Sequence, residues 1–243
     1  MAKKFTRRVT ALGAMGLGAY FLLFRPWQRR WGATDEEVQR ALPGDEIVPE
    51  ADVVEMRVVT IKATPAAIWP WLVQIGQGRA GYYSYEQLEN LFGLKMKNAG
   101  GINPDWQHLQ VGDIIPAEPG GKGFKVYILE PERALVLGGR KGEAGVFEGF
   151  TQMSPAFSWA FILVPLDSER TRLISRWRGQ SQPSLRNKFT GIFIEPIDFL
   201  MTRRMLLGIK KRAEKTGELA EKPEEAEKKP SPNGIVTSTT AIQ

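Results

Sequence analysis

Hydrophobic and polar positions alternate with a period of two through residues 53–62 (VVEMRVVTIK) and again through residues 171–178 (TRLISRWR). A period of two puts every second side chain on the same face of a sheet, so both stretches read as strands. In the second, Thr171, Leu173, Ser175 and Trp177 share one face and Arg172, Ile174, Arg176 and Arg178 the other. That pattern predicts a sheet with one face inward and one face wet. The arginines are then either an ordinary solvated face or a basic stripe held against anionic lipid headgroups. Four more strands are expected at residues 111–117, 124–130, 134–139 and 157–166, with a further weak candidate at 146–150. Gly-Gly, Pro-Glu-Arg and Asp-Ser-Glu turns separate them, as in an antiparallel meander.

Elsewhere the period lengthens to that of a helix. Thr64-Pro65 supplies an N-cap and a proline at the first helical position, and Ile68, Trp69, Leu72 and Val73 follow with the spacing of a buried face. The helix should run to residue 75, with Pro70 costing a kink near its start. Ser84 is placed to cap a second helix over residues 85–92, with Leu88, Leu91 and Phe92 on one side and Gly93 ending it. Upstream, Thr34 and Glu37 form a capping box for a short helix to residue 41, and residues 45–52 read as an extended acidic connector. The longest helical pattern covers residues 194–215. Ile197, Leu200, Met201, Met205 and Gly208 mark one side, and Lys210, Lys211 and Arg212 sit where cations complement the helix dipole.

The two ends differ from this core. Lys3, Lys4, Arg7 and Arg8 precede an uncharged run at residues 9–24, and Arg25, Arg29 and Arg30 follow it. Such a run is roughly 24 Å long as a helix, just under the usual spanning length. Its bulky, basic exit has none of the small residues of a cleavage site. Residues 1–30 are therefore expected to be an uncleaved single-span membrane anchor, with Trp27 and Trp31 near the interface. A buried or interfacial helix is the alternative. Basic residues on both flanks leave the side of the membrane undetermined. Residues 31–52 form the short helix and connector, residues 53–215 the main domain, and residues 216–243, rich in Glu, Lys, Pro, Ser and Thr, a disordered tail.

Composition narrows the chemistry. At 243 residues and 42% hydrophobic the chain can bury one substantial core. A net charge of +6 suits a neighbour of anionic lipid as well as one of nucleic acid. No cysteine is present, which excludes disulfides, thiolate metal sites and thiol nucleophiles. His108 is the sole histidine, so a histidine metal cluster or a Ser-His dyad has little to build on, and neither metal nor cofactor is expected. Glu86, Glu89, Asp105 and Asp113 read as surface acids, because no spacing forces a pair together.

Residues 76–81 (GQGRAG) match G-x-G-x-x-G. A dinucleotide fingerprint needs those glycines between a strand and a helix, whereas here helical patterns lie on both sides. The nucleotide reading is rejected in favour of glycines that let two helices turn sharply. Aromatic residues are spread over every expected element. Most are core, but a curved sheet closed by one long helix leaves a hollow that bulky side chains line without filling.

The element order, together with Trp31-Gly32-Ala33-Thr34, Leu42-Pro43-Gly44-Asp45, the run at residues 67–74 (AIWPWLVQ), Gly76-Gln77-Gly78-Arg79, Tyr83-Ser84-Tyr85, Leu88-Glu89-Asn90 and Val111-Gly112-Asp113, resembles the START-like helix-grip (SRPBCC) superfamily. That group contains polyketide cyclases, lipid-transfer START domains and Bet v 1-type carriers, and the match is closest to a bacterial membrane-anchored subfamily. The resemblance implies an α+β fold: a curved antiparallel sheet, two short helices and a long C-terminal helix, here behind a transmembrane helix. It implies binding of a hydrophobic small molecule or lipid between sheet and long helix, with a cyclase/dehydratase-type enzyme as the alternative. It carries no catalytic residues onto this chain. Expected ligand-binding residues are Trp71, Gln74, Arg79, Tyr83, Trp106, Trp159, Trp177 and Phe199, with Gln74, Arg79 and the tyrosines at the cavity mouth. The expected partners are that ligand and a membrane, not nucleic acid, and the oligomeric state is left open.

Overall fold

The computed structural model describes residues 15–16, 18–181 and 185–221. In chain order the elements are α1 (Arg25–Arg29), α2 (Asp35–Gln39), β1 (Val53–Ile61), α3 (Pro65–Val73), α4 (Glu86–Leu91), β2 (Ile114–Pro116), β3 (Gly123–Glu130), β4 (Ala134–Arg140), α5 (Glu148–Met153), β5 (Ala156–Pro165), β6 (Thr171–Gly179) and α6 (Leu185–Glu221). The strands form one antiparallel sheet in the order β1-β6-β5-β4-β3-β2. The two stretches with the clearest alternation pair along their full lengths, from Val53 opposite Gly179 to Ile61 opposite Thr171.

Local signals set several boundaries. The Thr34 side chain accepts from Glu37 N while the Glu37 side chain accepts from Thr34 N, completing the capping box. Thr64 caps α3, with Pro65 at its first position. The glycine loop joins α3 to α4 and closes on itself, since Gly76 N donates to Gly81 O at 3.0 Å and Gly81 N returns to Gly76 O at 2.9 Å. Gly81 has φ +67° and an added Cβ would sit 2.6 Å from Asn98 Oδ1, so only glycine fits there.

Other expectations need correction. The stretch at 111–117 contributes only the three residues of β2. Around Val146 there is a single parallel bridge to Gly123, and helix α5 follows where a weak strand was expected. Helix α6 starts at Leu185, well before residue 194, and continues to Glu221, so residues 216–221 are helical and not tail. Residues 222–243 lie outside the described residues. Ser84 does not cap α4. Tyr85 holds that position without a side-chain cap, and the Ser84 hydroxyl donates to Glu89 instead.

The inner face of the sheet packs against α3 and α6 around Ile61, Ile68, Leu72, Leu135, Phe161, Leu173, Leu206 and Ile209. Helix α6 approaches closely at Gly208, where a Cβ would lie 2.4 Å from Tyr83 O. The outer face is not wet. Leu42, Met56, Val58, Val136, Ile162 and Ile174 form a second buried cluster, covered by Ala33, Val38 and Ile47 from the chain before β1.

The arginines on that face bind this cover rather than water or lipid. Arg172 reaches Glu37 through Nε at 2.9 Å and Nη2 at 2.7 Å. Arg176, only 3% exposed, donates to the carbonyls of Glu37, Val38 and Arg40 and pairs with Asp45 at 2.7 Å. Arg178 donates to the carbonyls of Val48 and Pro49. An irregular segment laid over a sheet has carbonyls that need donors, and the guanidinium fork supplies several at once. The expected extended connector therefore includes a 3₁₀ turn, Asp45–Ile47, anchored by Asp45.

Among the described residues no helix is long and apolar enough to cross a membrane. Half of the expected anchor, residues 1–14 and 17, lies outside them. Its basic exit does not hang free. Arg25 Nε and Nη2 each donate to the Glu195 carboxylate at 2.7 Å, and Arg29 Nη2 adds a third bond at 2.8 Å. Trp27 and Trp31, expected at a lipid interface, pack their rings 5.3 and 6.2 Å from that of Phe199. Helix α1 is thus a strap fastened to α6.

Candidate functional site

Alternation along β5 and β6 turns Trp159 and Trp177 inward, where their ring centroids lie 6.1 Å apart beneath α6. They do not close the space between sheet and helix. Two adjoining chambers remain, sharing Phe124, Trp159, Asp198 and Thr202 in their walls. The first, about 280 Å³, is lined chiefly by Val53, Phe124, Trp159, Trp177 and Ile194. The second, about 200 Å³, adds Tyr82, Leu94, Met96, Phe147, Met201 and Met205. A single sheet closed by one long helix over an apolar hollow decides the architecture. The fold is a helix grip.

The grip has a charged wall. In β1, Glu55 and Arg57 fall on the same side as Val59 and Ile61, facing the hollow. Arg57 is 3% exposed, and its guanidinium donates to Glu55 at 2.6 Å and to Asp198 of α6 at 2.7 Å. Its Nε reaches Gln28 O in the α1 strap at 3.4 Å. Burial pushes the Glu55 carboxyl up to about 7, Arg57 and Arg29 oppose that rise, and Asp198 reinforces it. Nearby, Trp159 Nε1 donates to Ser175 Oγ at 2.9 Å.

This raised carboxyl gives a pH signature. The folded chain keeps a proton on Glu55 up to about pH 7, whereas the unfolded chain releases it near 4.5. The folded state therefore binds more protons in that window, and unfolding free energy is expected to fall as pH rises through it, then level off. The fall is at most roughly 3 kcal/mol. Urea titrations of the wild type and Glu55→Gln from pH 4 to 8 should show a steeper fall in the former, and the difference between the two profiles belongs to Glu55. Parallel profiles would assign the slope to another group.

In the second chamber, Glu89 is 7% exposed. Its Oε1 accepts the Ser84 hydroxyl and its Oε2 has no hydrogen-bond partner among the described residues. Burial raises this carboxyl too, against the Ser84 bond. The Tyr82 hydroxyl donates to Pro116 O at 3.0 Å, and burial raises it as well. Glu89, read from sequence as a surface acid, is thus inside. The helix that carries it turns Leu91 and Phe92 outward instead, 77% and 73% exposed.

Of the residues expected to bind ligand, Trp159 and Trp177 stand in the first chamber. Trp71, Gln74, Arg79, Tyr83 and Trp106 line neither chamber. They fasten the loop before β2. Gln74 Nε2 donates to the Tyr83 hydroxyl at 2.8 Å and to Gly101 O at 3.2 Å, and its Oε1 accepts from Asn103 N at 3.1 Å. The Tyr83 hydroxyl donates to Trp71 O at 3.1 Å, and Arg79 Nη2 bonds the carbonyls of Val73 and Trp106 at 2.7 and 2.8 Å. These polar atoms satisfy buried backbone and one another, so they are not turned to a cavity mouth. Phe199 faces the strap, with Arg57 5.7 Å from its ring centre.

Sequence reasoning missed Glu55, Arg57, Asp198 and Thr202. The signal for the first two was present, since they share parity with Val59 and Ile61 in β1. Among the described residues no group of three or more His, Asp or Glu converges to hold a metal ion.

No protein-family model and no curated protein matches the chain. Among solved structures it is similar to norcoclaurine synthase from Thalictrum flavum in complex with dopamine and hydroxybenzaldehyde, at 15% identity over 74% of this chain and 95% of that one, with a TM-score of 0.40. It is also similar to protein MLL2253 from Mesorhizobium loti, at 17% identity over 67% and 98% with a TM-score of 0.35. CalU16 from Micromonospora echinospora stands at 15% identity over 69% and 88%, with a TM-score of 0.32. At such scores the likeness carries no weight for function, and the strand order and helix placement stand by themselves.

Proposed function

We propose that the protein binds a hydrophobic small molecule or lipid in the paired chambers beneath α6, working at a membrane surface. The observation that carries this reading is the hollow itself, walled by Phe124, Trp159 and Trp177 while the rest of the inner face is packed. An apolar chain entering it gains about 0.8 kcal/mol for each buried methylene, and a few polar groups set its orientation. The membrane placement rests on the uncharged run at residues 9–24, which leads into the α1 strap. It rests also on exposed Leu88, Leu91 and Phe92 of α4 and Ile197 and Leu200 of α6, the two helices that carry Glu89, Asp198 and Met201 of the second chamber. Apolar residues beside a cavity suit contact with a bilayer interface.

Binding is tested on the full chain held in amphipol with N-phenylnaphthylamine, a neutral apolar dye. Saturable enhancement, with quenching of tryptophan emission by a brominated alkane, is expected. A linear, unsaturable response that matches amphipol alone would sink the reading. For the membrane, flotation with lipid vesicles should weaken in Leu91→Asp/Phe92→Asp, and unchanged flotation would remove these residues from the contact.

A second reading is a cyclase/dehydratase-type enzyme, favoured by the Glu55 carboxyl that titrates near 7 beside a buried guanidinium. Such a carboxylate can take a proton from carbon next to a carbonyl, the electron pair passing to an oxygen that Arg57 stabilises, and then return the proton. Proton exchange into a β-diketone, followed by NMR, should be faster with wild type than with Glu55→Gln. Equal rates would count against enzymatic enolisation.

A further inference from the structure

A separate groove of about 330 Å³ lies on the outer face of the sheet, between the α1 strap and β1. Arg25, Arg29, Arg30 and Arg176 line it, over a floor of Val54 and Met56. Arg25 and Arg29 are four positions apart in α1 and so share one side of it. Among the described residues no acid lines the groove, and residues 1–34 contain none. The strap arginines are open to solvent, with side chains 34% exposed at Arg25, 23% at Arg29 and 46% at Arg30. The three share two carboxylates at hydrogen-bonding distance, Glu195 and Asp35. Glu195 lines the first chamber and not the groove, and Asp35 is 84% exposed, so water screens its pair with Arg30. Arg25 and Arg29 each keep Nη1, and Arg30 keeps Nε and Nη1, without a hydrogen-bond partner among the described residues. Arg176 beneath them spends its terminal nitrogens on carbonyls of the cover and on Asp45, so it adds positive potential from below.

Resting on the membrane placement proposed above, we propose that this groove holds the phosphate of an anionic phospholipid. A phosphate offers several acceptors at once, which suits guanidinium forks that still have N–H groups to give. A zwitterionic lipid brings its own cation beside three others and gains less. The occupant is a lipid and not a free phosphate, because the groove has an apolar end. Phe21 lines it, with exposed Leu22 and Leu23 next in the chain, and acyl chains run along these residues. The uncharged run ends at Phe24, one residue before Arg25, so a bilayer that takes the run presents its headgroups at the arginines.

The test titrates the full chain, held in the neutral detergent dodecyl maltoside, with dihexanoyl phosphatidic acid, dihexanoyl phosphatidylcholine and inorganic phosphate, followed by calorimetry. Phosphatidic acid is expected to bind saturably and about tenfold more tightly than either of the others. Arg30→Gln removes one open fork, and Val54→Glu sets a carboxylate in the floor beside the rest. Each should weaken phosphatidic acid about tenfold and leave the melting temperature little changed, since both positions are exposed. Phosphatidylcholine equal to phosphatidic acid overturns the charge assignment, and inorganic phosphate equal to it overturns the lipid. Undiminished affinity in both variants removes the site from the strap. Should the variants fail to fold, the wild-type order of the three ligands decides. Flotation of the wild type with phosphatidylcholine vesicles separates the two readings. A chain that floats there but shows no preference for phosphatidic acid loses the headgroup site alone, and one that floats with no vesicle loses the membrane placement as well.

Discussion

Arg57→Met is expected to lose about 3–5 kcal/mol of unfolding free energy at neutral pH, the range seen when one partner of a buried ion pair is removed. The methionine fills much of the space but leaves Glu55 inside without its 2.6 Å partner, since Arg29 stands farther away at 3.8 Å. The lost Asp198 contact counts for less, because that carboxylate is about half exposed and water screens it. The α1 strap loses the bond to Gln28 O as well. Acid should relieve part of the damage, because a protonated Glu55 needs no cation. The double variant Arg57→Met/Glu55→Gln should recover part of the loss. Urea denaturation at pH 5 and pH 8 on all three chains checks this. A loss under 1 kcal/mol, or one independent of pH, would show that the triad does not support the fold as argued.

Thr202→Trp is expected to weaken binding of an apolar ligand about hundredfold while the protein still folds. Thr202 stands in the wall common to both chambers, so an indole there occupies the passage a ligand must thread. Denying a ligand about four methylenes of burial is worth about 3 kcal/mol, hence the factor. Overpacking a filled core costs about 1–3 kcal/mol, so a cost at the low end would itself report empty space. Its bond to Asp198 is long, 3.5 Å, and little is lost with it. Dye titration with a thermal melt on the same sample gives both readings. Full affinity in a folded Thr202→Trp chain would move the binding site elsewhere.

Much of this arrangement is legible in short stretches of sequence. Thr34 and Glu37 announce a helix start through hydrogen bonds that span three residues, and Thr64-Pro65 does the same. The alternation of β1 and β6 gives the two faces of each strand, and the helical patterns around residues 76–81 are enough to dismiss a nucleotide loop. The resemblance to helix-grip proteins supplies the single antiparallel sheet and the long final helix. Trp159 and Trp177, expected as wall residues from the aromatic content of the strands, do line the first chamber.

What covers the outer face was not legible. Arg172, Arg176 and Arg178 have the spacing of a solvated stripe, yet they bind backbone and acids from residues 32–49, more than 120 positions earlier in the chain. The Gln74–Tyr83 pair had the composition of a binding site but is consumed in holding a loop. Asp198 meets Arg57 across 141 residues, and no local pattern carries that pairing. The sequence by itself therefore determined the elements and their faces, because those depend on hydrogen bonds and burial within a few residues. Only the tertiary structure decided which charges are paired in holding the fold and which, like Glu89, are buried beside a chamber with a single hydrogen bond. That distinction depends on partners brought together by the sheet and α6.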